Sequence, residues 1–155
     1  MAERTLPTAA DTEAFGRELA AGLTAGDLVI LDGPLGAGKT ALTRGIGAGL
    51  GVVGRVSSPT FIIARQHKPG ERSGADPVGM VHVDAYRLGT GPDALDELDA
   101  LDLDTDLRRA VVVVEWGAGL VEQLAQRHLF VALRREPESD VRTVSWEWRD
   151  AAERR

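Results

Sequence analysis

The sequence predicts an α/β domain with a mostly parallel central sheet, because short apolar runs alternate along the chain with segments of helical periodicity. The run at residues 27–31 leads into a glycine-rich turn, and the runs at 80–84 and 110–115 each end on an acidic residue. Continuous apolar runs of this length are typical of parallel strands that are buried on both faces. A chain of 155 residues is the size of one domain. We therefore expect a single domain over residues 1–155, with residues 150–155 as a frayed tail.

The first part of the predicted domain begins with a helix over residues 11–22. Thr8 and Asp11 have the spacing of a capping box at its start. Apolar residues then recur every four positions, as they do on one face of a helix: Phe15, Leu19 and Leu23. The apolar run at 27–31 is the first predicted strand, and a second helix is predicted over residues 39–50.

The later elements are predicted from the same kinds of pattern. Strands are expected over residues 60–64, 80–84, 110–115, 129–133 and 141–148, a helix over 119–127, and a loop over 67–77. The last two strands alternate apolar and polar residues, so antiparallel strands are expected toward the C-terminus. Trp146 and Trp148 lie on one face of the last strand, and both are predicted to pack in the core.

A strong signal lies between the first strand and the second helix. Residues 33–40 have the G-x-x-x-x-G-K-T spacing of a phosphate-binding P-loop. Glycines allow backbone N–H groups to approach phosphate closely, and the N-terminus of the following helix favours anions. Lys39 is expected to reach the β- and γ-phosphates, and the Thr40 hydroxyl to bind Mg²⁺. The predicted nucleotide-binding residues are Gly33, Pro34, Leu35, Gly36, Ala37, Gly38, Lys39, Thr40 and Ala41.

The motif in this context predicts a P-loop NTPase-like domain of three layers, with the sheet between two layers of helices. The P-loop by itself does not identify the base of the nucleotide. GTPases usually read guanine through an N-K-x-D segment, and this chain contains no asparagine. The predicted ligand is therefore ATP or ADP, bound together with Mg²⁺.

Two acidic residues at strand ends are candidates for the second part of the site. Asp84 ends the run 80–84, and Glu115 ends the run 110–115. In an open α/β sheet, ligands bind outside the carboxyl ends of the strands, so both carboxylates are expected near the P-loop. A P-loop enzyme needs a carboxylate for Mg²⁺ and a residue that positions the attacking water. The residues alone leave open which acid has which role, and each is also compatible with a capping or salt-bridging role.

Four neighbouring residues have both a functional and a structural interpretation. His82 shares a strand face with Asp84, and a lone histidine in that position is more often structural. Tyr86 and Arg87 follow the same strand, and Arg87 is suited either to stabilising transition-state charge or to pairing with an acid. Trp116 follows the second acid and either lines the site or packs in the core.

Composition and charge exclude several classes of function. The chain has no cysteine, so it has neither disulfides nor a thiolate metal site. No apolar run approaches the roughly 20 residues of a transmembrane helix, and no secretory pattern opens the sequence, so we expect a cytoplasmic protein without a membrane partner. The net charge is −6, and residues 92–107 carry seven acidic residues and no basic one. That stretch is either a solvated face or a docking surface for a basic partner.

In their order and spacing, the motifs resemble those of the bacterial TsaE (YjeE) family, the ATPase component of tRNA threonylcarbamoyladenosine biosynthesis. The resemblance extends over residues 12–120. The matching segments are 33–40, 58–61 (Ser-Pro-Thr-Phe), 82–88 (His-Val-Asp-Ala-Tyr-Arg-Leu) and 115–116 (Glu-Trp). The P-loop is common to many families, whereas the other three segments are far more specific and carry the resemblance.

The resemblance implies a slow Mg²⁺-dependent ATPase that acts with the TsaD–TsaB complex and resets it between turnovers. That complex transfers the threonylcarbamoyl group to the adenosine beside the anticodon, in tRNAs that read codons beginning with adenine, and tRNA is bound only through the partners. The implied catalytic residues are Lys39, Asp84 and Glu115. The implied metal-site residues are Thr40, Glu115 and Asp84. Thr40 and Glu115 match the family's Mg²⁺ positions, and Asp84 would activate water or hold metal-bound water. The implied switch or partner residues are Thr60, His82, Tyr86, Arg87 and Trp116.

The chain departs from the family pattern at two places, and two other functions stay open. Gly117 stands where the family commonly has proline, and the match is weak beyond Leu120, where Arg142 is a candidate nucleotide contact. A small-molecule kinase would need an acceptor pocket and usually a basic lid, and no arginine-rich lid segment follows the third strand. A nucleotide-responsive binding module would keep its partner function after Asp84 or Glu115 is replaced by alanine.

Overall fold

The computed structural model of the chain describes residues 2–33, 38–53, 64–72, 76–84, 110–115, 127–136, 139 and 141–150. Within these ranges the chain forms two helices, α1 (Ala9–Ala20) and α2 (Lys39–Leu50). The strands are β1 (Ala2–Leu6), β2 (Leu28–Asp32), β3 (Ala64–His67), β4 (Gly79–Asp84), β5 (Ala110–Glu115), β6 (Arg127–Arg135) and β7 (Arg142–Asp150). Neither of the described helices has the length and apolar character that crossing a bilayer requires.

The strands form one seven-stranded sheet in the order β1-β7-β6-β2-β5-β4-β3. The central strands β6, β2, β5 and β4 run parallel to one another. Antiparallel strands flank this centre on both sides, with β7 and β1 beyond β6, and β3 beyond β4. The predicted α/β fold, with a parallel centre and antiparallel strands toward the C-terminus, is confirmed. The antiparallel pairing of β3 was not predicted.

The start of α1 is fixed by the predicted capping box. The hydroxyl of Thr8 accepts a hydrogen bond from the backbone N–H of Asp11 at 3.2 Å, and the Thr8 backbone N–H donates to the Asp11 carboxylate at 3.0 Å. These two bonds satisfy donors that have no partner inside the helix. The helix therefore begins at Ala9 rather than at residue 11.

The core on one face of the sheet is formed by α1 and α2 packed against alternate strand residues. Its buried side chains include Phe15, Leu23, Val29, Leu31, Leu42, Ile46, Met80, Val113, Val131 and Val144. On the opposite face of the sheet, Leu28, Ile30, Val112 and Val114 are also fully buried. Burial on both faces explains why the sequences of β2 and β5 are apolar throughout rather than alternating.

The two helices approach each other closely because glycines lie between them. A Cβ atom added at Gly45 of α2 would lie 2.0 Å from the backbone oxygen of Glu13 in α1. A Cβ atom added at Gly16 of α1 would lie 2.4 Å from the backbone oxygen of Leu42. Both distances are far inside van der Waals contact, so only glycine permits this separation of the helices. The contact fixes the position of α2, whose first residue is Lys39.

Three predicted segments differ from the structure at their ends. The strand predicted over 60–64 overlaps the described residues only at Ala64, where β3 begins, and the predicted loop is wrong at His67, the last residue of β3. The helix predicted over 119–127 overlaps them only at Arg127, and it is wrong there because Arg127 pairs with β7 in the antiparallel ladder. The remaining residues of the predicted strand and helix lie outside the described part of the chain.

The sequence analysis missed β1 entirely. Four of its five residues are exposed, and only Leu6 is buried. The strand is held by its pairing with β7, which runs from Ala2 opposite Trp146 to Leu6 opposite Arg142. An exposed strand of this kind has neither a continuous apolar run nor a clear alternation, so its sequence carries no strand signal.

The two tryptophans of β7 have different surroundings. Trp146 packs against the core, and its ring centroid lies 4.7 Å from that of Phe15, as predicted. Trp148 is 37% exposed, so its predicted place in the core is wrong. Its ring is covered instead by the guanidinium of Arg127, which lies 4.0 Å from the ring centroid.

Arg72 connects the segment between β3 and β4 to the end of α1. Its Nη2 donates to the backbone oxygens of Ala20 at 2.9 Å and Leu23 at 2.7 Å. Its Nη1 donates to the backbone oxygen of Asp76 at 3.2 Å. The last carbonyl groups of a helix lack partners within the helix, and a cation placed there also complements the helix dipole.

We expect Arg72→Ala to lower the free energy of unfolding by about 2 kcal/mol, because carbonyl groups at the end of α1 lose charge-assisted hydrogen bonds. Urea unfolding followed by circular dichroism measures the change. Arg44→Ala is the matched control, because the half-exposed Arg44 side chain makes a long ion pair with the Glu13 carboxylate, at 4.0 Å. This control should change stability by less than about 0.5 kcal/mol. Equal effects of the two substitutions would contradict the capping role of Arg72.

Candidate functional site

The P-loop connects the end of β2 to the start of α2. Gly33 and residues 38–40 of the loop are described, whereas the residues between them lie outside the described ranges: Pro34, Leu35, Gly36 and Ala37. Gly38 is the N-cap of α2 and has φ 104°, a left-handed conformation that residues with a Cβ atom rarely adopt. Within the described residues no side chain caps this end of α2. The first N–H groups of the helix therefore face the loop as donors for an anion.

Lys39 is the first residue of α2 and turns its side chain back across the P-loop. It is 5% exposed, and its Nζ donates to the backbone oxygen of Gly33 at 2.5 Å. One turn later, the Thr43 hydroxyl donates to the backbone oxygen of Lys39 at 2.8 Å. The ammonium group thus lies beside Gly33, at the start of the P-loop. Thr40 and Ala41 follow in the first turn of α2, and both are half-buried.

The two candidate acids lie side by side at the carboxyl ends of neighbouring parallel strands. Glu115, the last residue of β5, is paired in the sheet register with Asp84, the last residue of β4. On its other side Glu115 is paired with Leu31 of β2, one residue before the end of the strand that leads into the P-loop. Both acids therefore occupy the sheet edge from which the P-loop starts, the position expected for residues that contact a ligand in an α/β sheet.

The side chain of Glu115 is buried against a histidine. Glu115 is 6% exposed and His82 is fully buried. Within β4 and β5, His82 Nε2 is hydrogen-bonded to Glu115 Oε2. Sequence reasoning placed both residues on strands but did not pair them. The hydrogen bond depends on the register of β4 against β5, which places His82 opposite Val113. Glu115 is two residues beyond Val113, so its side chain lies on the same face of the sheet, next to His82.

Two further residues lie beside the N-cap of α2, and they come from distant parts of the chain. A Cβ atom added at Gly38 would lie 3.6 Å from Nε of Arg142 in β7 and 3.6 Å from the methyl group of Thr12 in α1. The guanidinium of Arg142 also donates from Nη1 to the backbone oxygen of Ser139 at 3.1 Å. Arg142 was named from the sequence as a candidate contact, whereas Thr12 was not, and no motif includes it.

The described residues fit a P-loop magnesium site, although they form no metal cluster of their own. In the described ranges, no group of three or more His, Asp or Glu side chains is placed to hold a metal ion. A P-loop site does not need one, because a hydroxyl, a carboxylate, phosphate oxygens and water share the coordination. Thr40 and Glu115 provide oxygen donors of the kind that Mg²⁺ prefers. The remaining candidates lie outside the described residues: Thr60, Tyr86, Arg87, Trp116 and the acidic stretch 92–107.

Comparison with known proteins assigns the family. Residues 6–144 match the family described as "Threonylcarbamoyl adenosine biosynthesis protein TsaE". The chain belongs to the TsaE family. A Mycobacterium tuberculosis H37Rv protein named tRNA threonylcarbamoyladenosine biosynthesis protein TsaE is 55% identical over 146 residues, which are 93% of this chain and 85% of that protein. The protein of the same name from Bacillus subtilis 168 is 36% identical over 126 residues, which are 81% of this chain and 72% of that protein.

A solved structure supports the same assignment at the level of the fold. The crystal structure of YdiB from Bacillus subtilis superimposes with a TM-score of 0.67 at 29% sequence identity, and the match covers 94% of this chain and 83% of YdiB. The predicted P-loop NTPase-like fold class is confirmed, and so is the predicted TsaE family. The match of this TsaE chain also includes residues beyond Leu120, where the motifs alone were weak.

Proposed function

We propose that this TsaE chain is a Mg²⁺-dependent ATPase required to form threonylcarbamoyladenosine in tRNA, where it acts with a TsaD–TsaB complex. The modified base is the adenosine beside the anticodon, in tRNAs that read codons beginning with adenine. The observation that carries the ATPase is the buried Lys39 ammonium, which lies across the P-loop at the uncapped start of α2. The names of the relatives, which refer to tRNA threonylcarbamoyladenosine biosynthesis, support the tRNA pathway.

In this proposal the phosphates of ATP bind at the N-terminus of α2. Lys39 exchanges its contact with Gly33 for oxygens of the β- and γ-phosphates, where its charge stabilises the negative charge of the transition state. Thr40 and Glu115 would hold Mg²⁺, which when bound would neutralise charge on the same phosphates. Asp84 orients the attacking water. Water attacks the γ-phosphorus, the bond from this phosphorus to the bridging oxygen breaks, and ADP and inorganic phosphate leave together with one proton from the water.

The partner assignment rests on the family and on charge. A protein that binds tRNA by itself usually presents a basic surface, because phosphate neutralisation and counterion release drive the association. This chain has a net charge of −6, which supports binding of tRNA through the partner proteins. The resemblance to the TsaE motifs supports switch or partner contacts at Thr60, Tyr86, Arg87 and Trp116. His82 was grouped with them from the sequence, but it is fully buried and contacts Glu115.

We expect the purified chain to hydrolyse ATP slowly alone, and its rate to change when a TsaD–TsaB complex is added. Phosphate release measured with and without the complex tests both parts, and chelation of Mg²⁺ is the control for metal dependence. A hydrolysis rate that does not change when the complex is added would contradict the partner assignment and favour a small-molecule kinase. A screen for a phosphate acceptor would then identify that activity. ATP binding without any turnover, alone or with the complex, would favour a nucleotide-responsive binding module.

A further inference from the structure

We propose that His82 is a positioning residue that holds the Glu115 carboxylate in the orientation needed to bind Mg²⁺. The inference rests on the proposed function, since it concerns the metal ligand of that site. His82 itself is not a ligand in this proposal, because Mg²⁺ prefers oxygen donors. Its role is to occupy one carboxylate oxygen, so that the metal ion binds the other.

The location of the pair supports this role. Met80 and His82 are two residues apart in β4 and therefore lie on the same face of the sheet. The same holds for Val113 and Glu115 in β5. Met80 and Val113 belong to the core cluster that α2 covers. The His82–Glu115 pair therefore lies on the α2 side of the sheet, at the edge where the P-loop begins. In this position His82 can orient the Glu115 carboxylate toward the nucleotide.

The proposal gives the hydrogen bond a direction. As a ligand of Mg²⁺, Glu115 would be an ionised carboxylate, which only accepts hydrogen bonds, so in this proposal Nε2 of His82 donates to Oε2 of Glu115. The terminal torsion of a free glutamate side chain is broad, and a carboxylate on its own would sample many orientations. The His82 ring is fully buried, and its backbone is fixed by the pairing of β4 with β5. A hydrogen bond from this ring therefore restricts the orientation of the Glu115 carboxylate. Partners of this kind typically change metal affinity by about 10- to 100-fold when they are removed.

The two nitrogens of the His82 ring have different surroundings. Nδ1 is buried and has no hydrogen-bond partner among the described residues, whereas Nε2 is hydrogen-bonded to Glu115. The hydrogen bond of His82 to another side chain in the described part of the chain is the one to Glu115. The ring is thus placed for this contact.

Two polar substitutions of different length test the proposal. In His82→Gln the side-chain amide nitrogen reaches the position of Nε2, whereas in His82→Asn the amide reaches only the position of Nδ1. Binding of the non-hydrolysable ATP analogue AMPPNP is measured by calorimetry with Mg²⁺ and with EDTA, and the ratio of the two affinities gives the contribution of the metal. Glu115→Gln gives the ratio for a protein that lacks the carboxylate proposed to bind Mg²⁺. Thermal unfolding of each variant shows whether it is folded.

We expect His82→Asn to reduce the Mg²⁺-dependent ratio by about 10-fold while its affinity with EDTA stays at the wild-type value. His82→Gln should keep a ratio close to that of the wild type. Equal ratios for the two variants, or a loss of the same size with and without Mg²⁺, would overturn the positioning role. If the wild-type protein itself binds AMPPNP equally with and without Mg²⁺, the proposed Mg²⁺-dependent function fails instead, which separates the two outcomes.

Discussion

Lys39→Ala is expected to reduce the rate of ATP hydrolysis by at least about 100-fold, because it removes a preorganised charge from the position where phosphate charge develops. The side chain is already in place in the structure: its Nζ lies 2.5 Å from the backbone oxygen of Gly33, across the opening of the P-loop. Such a group needs little reorganisation when ATP binds. Phosphate release under saturating ATP, together with AMPPNP affinity, separates the loss of catalysis from the loss of binding.

Lys68→Ala is the matched control for this experiment. Lys68 is the other lysine of the chain, it is exposed, and the hydrogen bond that it accepts from Val53 uses its backbone oxygen. Its replacement removes the same charge from the surface and leaves that bond intact. Hydrolysis by Lys68→Ala should match the wild type. A Lys39→Ala variant that keeps wild-type turnover would refute the assignment of the P-loop as the catalytic site.

Gly45→Ala is expected to lower the free energy of unfolding by about 3 kcal/mol, the upper part of the range for overpacked cores. The added Cβ would lie 2.0 Å from the backbone oxygen of Glu13, and a backbone atom cannot rotate away as a side chain can. Alanine favours a helix interior over glycine by about 1 kcal/mol, so the packing cost must exceed this gain. Thermal or urea unfolding measures the result.

The same substitution should also weaken nucleotide binding, because α1 and α2 must separate and α2 begins with Lys39. Gly22→Ala is the control, since a Cβ atom there would meet only the backbone oxygen of Leu19, at 3.9 Å. It should leave both stability and AMPPNP affinity near the wild-type values. If Gly45→Ala behaves like this control, the close contact of the two helices does not determine the position of the P-loop.

The elements with strong local signals were predictable from the sequence. The second helix was predicted over residues 39–50, and α2 spans Lys39–Leu50, because a P-loop before it and glycines after it define both ends. The parallel strands β2, β4 and β5 followed from their continuous apolar runs, and the sheet edge shared by Asp84 and Glu115 followed from two of these runs ending on an acid. In each case the information lies within a few neighbouring residues. The parallel pairing of β6 with β2 was not predicted.

What was missed depends on contacts between distant segments. β1 forms only because β7 pairs with it, and its own exposed residues carry no strand pattern. The His82–Glu115 bond depends on a register that no local pattern specifies. Thr12 reaches the P-loop because α1 packs on α2, which is a consequence of tertiary structure.

The order of strands in the sheet has a consequence for how the protein is made. β2, which leads into the P-loop, lies between β5 and β6, and β6 ends only at Arg135. A chain emerges from the ribosome N-terminus first, at about 5–20 residues per second, so the P-loop is synthesised long before both neighbours of β2 exist. β1 can form its pairing only after β7, the last strand of the sheet in sequence, has been synthesised. Pairings at such long sequence separation also slow folding. A nascent chain that ends before Arg127 lacks one side of the P-loop strand, so the nucleotide site cannot be fully assembled until β6 has been synthesised.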